Sequence, residues 1–170
     1  MDEALRSMLV PSPAMVEVEV KYSTRAQVKA SPEVAYALLS DIRRSGLHFP
    51  DVERLEPSTR REGAWTWKMK EKGLGPITLT VEYDAIYEAN PDALTISWRP
   101  PSGGGGDMDS FGSWTIRPTK EGAELIFEAR TVAHVRASRL ISKMVELVAR
   151  EELSRLKAKY VQAIKATLDS

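Results

Sequence analysis

The chain has 170 residues, 42% hydrophobic and 28% charged, a length and balance that fit one domain needing no disulfide or structural metal to fold. Its 24 Lys+Arg equal its 24 Asp+Glu, which excludes nucleic acid as the main partner, since phosphate binding needs a basic surplus or stripe. Cysteine is absent, which excludes a disulfide framework, a thiolate metal site and a cysteine nucleophile, and fits a cytoplasmic location.

Residues 1–14 read as a tail and 15–170 as one folded domain. The first residues start acidic and Pro11-Ser12-Pro13 cuts their short apolar run, a poor signal peptide. No stretch approaches the roughly 18 apolar residues of a membrane span. Val16, Val18, Val20, Tyr22, Ala26 and Val28 then alternate with charged and polar residues, the period of a half-buried strand. Ser31 suits a helix N-cap and Pro32 the first helical position, and Val34, Ala35, Leu38, Leu39 and Ile42 recur at helical spacing. Ser45-Gly46 ends that helix or starts a second short turn reaching Phe49-Pro50.

From there to about residue 134 the pattern predicts strands: 51–56, 64–70, a single long strand over 77–87, one carrying Leu94, Ile96 and Trp98, one carrying Gly112, Trp114 and Ile116, and one carrying Leu125, Phe127, Ala129 and Thr131. Gly73-Leu74-Gly75-Pro76 and Asn90-Pro91-Asp92 read as turns. The four glycines at 103–106 read as the most flexible connection and, with no following Lys-Ser or Lys-Thr, not as a phosphate loop. Short turns between strands imply an antiparallel meander. Over 137–167 there is neither Gly nor Pro, and Ile141, Val145, Val148, Ala149, Leu153, Leu156, Tyr160, Ala163 and Ile164 form one helical stripe. No a/d repeat persists along it, so a helix laid across a curved sheet is preferred to a coiled coil.

The order of strand, short helices, six strands and long helix resembles the START-like superfamily of birch-allergen proteins, polyketide cyclases and lipid-transfer domains. The residues that carry the likeness are Ala30-Ser31-Pro32-Glu33-Val34-Ala35-Tyr36, Phe49-Pro50-Asp51-Val52, and Gly112-Ser113-Trp114-Thr115-Ile116-Arg117-Pro118 followed by Gly122-Ala123-Glu124-Leu125-Ile126-Phe127-Glu128. Within that group the chain is most similar to bacterial polyketide-cyclase and lipid-transport proteins, near the members associated with carbon monoxide dehydrogenase. The resemblance implies an α+β helix-grip fold: a seven-stranded curved antiparallel sheet wrapped around a long C-terminal helix, with two short helices after the first strand. It also implies an apolar cavity between sheet and helix for a sterol, lipid, quinone or polyketide, and it carries over no catalytic residue, metal or cofactor.

The strand faces predicted to point inward collect Trp65, Trp67, Met69, Leu79, Val81, Tyr83, Ile96, Trp98, Trp114 and Phe127, and the helix adds Val148, Glu152, Leu156 and Tyr160. Apolar walls with a few polar groups are the usual small-molecule site; the plainer reading is that these residues fill the core. Glu152 interrupts the apolar stripe. Facing a cavity, its pKa would be raised by desolvation and it could anchor a ligand or transfer a proton; at the edge of the stripe it would pair with Arg155 or Lys159. His48 and His134 lack ligand spacing for a metal, and no Gly-x-Ser-x-Gly elbow exists. The preferred reading is a non-catalytic binding or carrier protein for a hydrophobic small molecule. An enzyme of the cyclase-dehydratase kind, using Glu152, Tyr83, Tyr22 or His48, is one alternative. An accessory protein meeting an acidic membrane surface or a protein partner through Arg136, Arg139 and Lys143, crowded at the start of the long helix, is another.

Overall fold

The computed structural model describes residues 13–75 and 77–170. Most of the proposed tail therefore lies outside the described residues, and Pro13 and Ala14 already belong to the first strand. That strand, β1 (Pro13–Val28), buries Val18, Val20 and Val28 and exposes the charged residues between them. Its partner is β9 (Gly122–Ser138), antiparallel from Val28↔Ala123 to Pro13↔Ser138.

Two short helices follow β1, as the resemblance implies. In α1 (Pro32–Ser40) the Ser31 hydroxyl accepts from the Val34 N–H at 3.2 Å, and Pro32 occupies the first turn. Asp41 ends it in an extended conformation, and its carboxylate accepts from the Arg44 N–H at 3.1 Å to open α2 (Ile42–Gly46). The chain continues through β2 (Val52–Pro57), β3 (Ala64–Met69), β4 (Lys72–Leu74), β5 (Ile77–Leu79), β6 (Glu82–Asn90), β7 (Thr95–Arg99), β8 (Met108–Thr119) and β9. A 3-10 turn (Arg139–Ile141) leads into α3 (Ser142–Asp169). Seven strands form one antiparallel sheet in the order β1-β9-β8-β7-β6-β3-β2, while β4 and β5 form a separate hairpin. This is the helix-grip architecture. Among the described residues no helix is long and apolar enough to cross a membrane.

Three sequence expectations need correction. The single strand over 77–87 is β5 and β6, and the Gly73-Leu74 turn is part of β4. The Met69 N–H donates to the Val81 carbonyl at 2.9 Å, so the chain leaves the sheet after β3 and rejoins it at β6, and the residues between pair with themselves. The long helix starts at Ser142 rather than 137, because β1 supplies ladder partners to β9 as far as Ser138 and Ala133, Val135 and Ala137 stay buried at period two. Arg136 is consequently an exposed strand residue, Arg139 lies in the 3-10 turn and Lys143 alone is in α3.

The glycine run, expected to be flexible, is tied down. The Asp84 N–H donates to the Gly105 carbonyl at 2.8 Å, Asp107 N–H to the Glu82 carbonyl at 3.1 Å, and Arg61 Nη1 to the Gly104 carbonyl at 2.6 Å. A Cβ on Gly105 would stand 3.0 Å from the Asp84 carbonyl and nearer still to that of Met108, so glycine is required by this close approach to β6. Asp84 itself is fully buried, accepting from Thr66 Oγ1 at 2.5 Å and Ser58 Oγ at 3.0 Å, with Arg60 Nη2 at 3.3 Å. Burial works to raise its carboxyl, but these donors outweigh it and hold the group below its usual range.

The sheet curls around α3, and the core divides into two clusters. One joins α1 and the C-terminal half of α3 to Ile96, Trp114 and Phe127; the other joins the N-terminal half of α3 to Trp67, Tyr83 and Met108. Gly112 lets Trp98 lie flat across β8: a Cβ there would collide with the indole ring and sit 2.6 Å from the Glu128 carbonyl. Gly112→Ala should therefore lower the free energy of unfolding by about 1–3 kcal/mol, read from the urea midpoint; an unchanged midpoint would mean that the ring moves freely.

Candidate functional site

Between the two clusters lies a cavity with ≈ 120 Å³ open to the centres of water-sized molecules, several times the roughly 10–15 Å³ that one water needs. Its walls are mostly apolar. Twelve of the fourteen residues expected from the sequence line it: Trp67, Met69, Leu79, Val81, Tyr83, Ile96, Trp98, Trp114, Phe127, Glu152, Leu156 and Tyr160. Trp65 and Val148 do not. Trp65 shares the inward alternation of β3 but sits beyond the cavity, half-buried with the Arg43 guanidinium 5.7 Å from its ring centre. Val148 is displaced because the buried stripe of α3 runs through Val145, Ala149, Leu156, Lys157, Val161 and Ile164, rotated away from it. Tyr22 packs against Phe127 without reaching the cavity.

The aromatic wall is fixed by ring packing. Trp67 stacks on Tyr83 with centroids 6.1 Å apart and planes within 7°, and Trp114 meets Phe127 at 4.7 Å. Trp67 Nε1 donates to the Tyr87 hydroxyl at 2.8 Å. Burial pushes the Tyr83 and Tyr87 hydroxyls well above the ordinary tyrosine range. Burial also lifts Tyr160 to about 12, with the Trp114 indole and Ser45 hydroxyl facing it working the other way. All three are protonated donors near neutral pH.

Of the two sequence readings of Glu152, the structure shows the pairing with Arg155 and not the raised, proton-transferring carboxyl. Its carboxylate is paired, with Arg155 Nη2 at 2.5 Å and Nε at 3.0 Å and Lys72 Nζ at 2.6 Å. The Arg155 hydrogen bonds, then Lys72, outweigh desolvation and hold it down at about 2. It is an ionised structural group, not a proton donor. Lys72 also reaches Asp51 Oδ2 at 2.5 Å. The half-buried Lys72 and Asp51 and the exposed Lys70 place the mouth at the β4–β5 hairpin. One lysine latches that hairpin to α3.

Lys157 lies outside the set expected from the sequence. It is 4% exposed, and its Nζ donates to Thr131 Oγ1 on β9 at 2.6 Å. Burial alone lowers its pKa to about 8. The sequence does carry a signal for it: Val145, Ala149, Leu153, Lys157 and Val161 recur every four residues, so Lys157 occupies the middle of the stripe. The histidines lie elsewhere. His48 bridges the Arg44 carbonyl and Thr167 Oγ1, each at 2.8 Å, tying α2 to the end of α3. His134 lies between Asp109 at 3.3 Å and Glu17 at 3.6 Å.

A sequence profile of the polyketide cyclase / dehydrase and lipid transport family matches residues 18–161. The chain belongs to that family. No curated protein matches it. Solved structures similar to it include a START superfamily protein from Mycobacterium smegmatis (14% identity, TM-score 0.57, covering 87% of this chain and 96% of that one). The Zhui aromatase/cyclase from Streptomyces sp. R1128 is similar at 15% identity and TM-score 0.52, covering 88% of this chain and 94% of that one. The di-domain ARO/CYC StfQ from the steffimycin biosynthetic pathway is similar at 19% identity and TM-score 0.56, over 89% of this chain and 51% of that one. At these identities the likeness is one of fold.

Two outcomes follow from the ionisable groups. The folded state disfavours charged Lys157, so the unfolded chain binds more protons between about pH 8 and the ordinary 10.5, and stability should rise with pH from 8 towards 10. The full penalty, present below pH 8, is about 3 kcal/mol. Lys157→Met should therefore stabilise the protein at pH 7, and the gain over wild type should shrink by pH 10, both read from urea unfolding. The Glu152 pairing, in contrast, stabilises above the ordinary 4.5 and is lost as pH falls towards 2. Glu152→Gln should flatten the acid limb of the stability curve over that window, and a limb unchanged from wild type would assign it to other carboxylates.

Proposed function

We propose that the chain binds and carries a hydrophobic small molecule of the lipid, quinone, isoprenoid or polyketide kind in the cavity between the sheet and α3. The observation that supports this is the cavity, walled by Trp67, Tyr83, Trp98, Trp114 and Phe127 and left unfilled by the two core clusters that flank it. Enclosure supplies affinity at about 25 cal/mol per Å² of apolar surface removed from water. Entry is by the β4–β5 hairpin rather than by the glycine run, because the hairpin is outside the main sheet and held to α3 through Lys72.

A second reading, cyclisation or dehydration of a polyketide, is favoured by the convergence of Lys157 with the Tyr83, Tyr87 and Tyr160 hydroxyls on one cavity. These groups supply proton donors and positive charge. A carbon–carbon cyclisation also needs a base, and the one carboxylate on α3 that lines the cavity, Glu152, is held ionised in ion pairs. Carriage needs none.

Organic extraction of the purified protein followed by mass spectrometry should release an apolar molecule in stoichiometric amount. Leu79→Asp, which places a charge in the wall near the mouth, should weaken binding of the neutral fluorophore N-phenyl-1-naphthylamine by about tenfold or more. Unchanged affinity would take the cavity out of ligand binding. Lys72→Ala should speed association of the same probe in stopped-flow mixing, by releasing the hairpin from Asp51 and Glu152.

A further inference from the structure

Among the described residues, one buried charge on the cavity wall has no counter-charge. Among the described residues the Lys157 ammonium has the Thr131 hydroxyl as its partner and no carboxylate. An ammonium has three donors, so one hydroxyl leaves two unmet in an apolar surround, an arrangement that is costly unless an acceptor or opposite charge arrives. Ser110 stands directly opposite Thr131 in the β8–β9 register, and both are buried and line the cavity. A cation and two hydroxyls thus form a polar patch, away from the charged mouth, on a wall that is mostly apolar. Glu152, on the same helix, cannot neutralise it, being engaged by Arg155 and Lys72.

We propose that Lys157 is the head-group site of the cavity and that the ligand is a monoanionic amphiphile. Its carboxylate is held by Lys157 Nζ with Thr131 and Ser110, and its apolar body lies against Trp67, Trp114 and Leu156. This rests on the reading of the cavity as a hydrophobic-ligand site and names its ligand class. A neutral ligand leaves the ammonium as poorly compensated as before, and a cationic one is repelled. A dianion carries a charge that the patch cannot match. The entrance does not oppose an anion: Lys70, Lys72 and Arg155 there outnumber Asp51 and Glu152.

The test compares decanoate with decan-1-ol, equal in chain length, as competitors of N-phenyl-1-naphthylamine on the full chain. At about pH 7 decanoate should displace the probe about tenfold more effectively than the alcohol, the increment expected of a charge-assisted hydrogen bond. The ratio should fall towards one in Lys157→Met and in Lys157→Gln. It should also fall in the unmodified protein at about pH 9.5, where the ligand stays ionised and Lys157 loses its proton. The other titratable groups on the cavity are Tyr83, Tyr87 and Tyr160, which burial keeps protonated there, and at the mouth Glu152 and Lys72, which their pairing keeps charged, with Asp51 and Lys70. Equal displacement by acid and alcohol at pH 7, or a preference that survives both substitutions and the pH change, overturns the anionic head-group site while leaving the cavity reading intact. Failure of the probe and both competitors to bind overturns the two together.

Discussion

The pairing of β1 with β9 along sixteen register positions governs the rest of the molecule. It brings the two ends of the domain together, sets where β9 stops and so sets where α3 begins, and lays α3 back along β1. The remaining strands then build outward from β9 on its other side. Seven strands at about 4.8 Å spacing span roughly 29 Å across, while a helix with its side chains is about 10–12 Å wide. Curling the sheet narrows the hollow but does not close it. The helix fills the side nearest β1, the short helices α1 and α2 cover one end, and the unfilled remainder is the cavity between the two apolar clusters. The cavity is a consequence of sheet width, and the side chains decide only its lining.

Those side chains treat charge in two opposite ways on one helix. Glu152 lies towards the mouth, where Lys72 and Arg155 can both reach it, and its ion pairs exceed the loss of hydration. Lys157 lies deeper, where Thr131 is its one partner and burial prevails. The first arrangement stabilises the fold and holds the β4–β5 hairpin down. The second works against stability, since a methionine of similar length would fill the same volume without an ammonium to desolvate. The proposed anionic ligand would account for a group that opposes folding at a cavity wall, where packing does not.

Much of the fold is legible in the sequence because period and capping agree with it. The alternation of β1, the Ser31-Pro32 start of α1 and the Gly- and Pro-free run of α3 each correspond to the observed element. The misreadings have tertiary causes. Thr78 and Thr80 alternate with apolar residues as in any strand, yet the backbone bond from Met69 to Val81 shortcuts the sheet and leaves β4 and β5 to pair alone. Four glycines look mobile in sequence because their freedom is visible and the β6 edge on which they lie is not. At the site, the aromatic wall follows from strand alternation, which is why nine of the ten residues expected from the strand faces line the cavity. Trp65 has the right parity but the wrong height on its strand, a coordinate that periodicity does not contain. Lys157 escapes a pattern-based reading because a lysine on an apolar stripe ordinarily reaches out to water, and that outlet is closed here by the body of β9.

The same charge bears on whether the cavity is a carrier or a catalyst. With its pKa at about 8, Lys157 is about nine-tenths protonated at pH 7, and the three tyrosines are protonated throughout the neutral range. These buried groups can therefore all donate, while the carboxylates at the mouth, Asp51 and Glu152, are engaged by Lys72. Donors accelerate a reaction only where negative charge grows between ground state and transition state; donors that meet a charge already present bind both states alike and leave the rate unchanged. On the proposed reading, an acid that enters ionised would satisfy Lys157 from the start. On the proposed reading the arrangement would hold a ligand without driving it onward, and a cyclase built on the same frame would need a free base on this wall, where this chain places paired Glu152 and hydrogen-bonded Lys157.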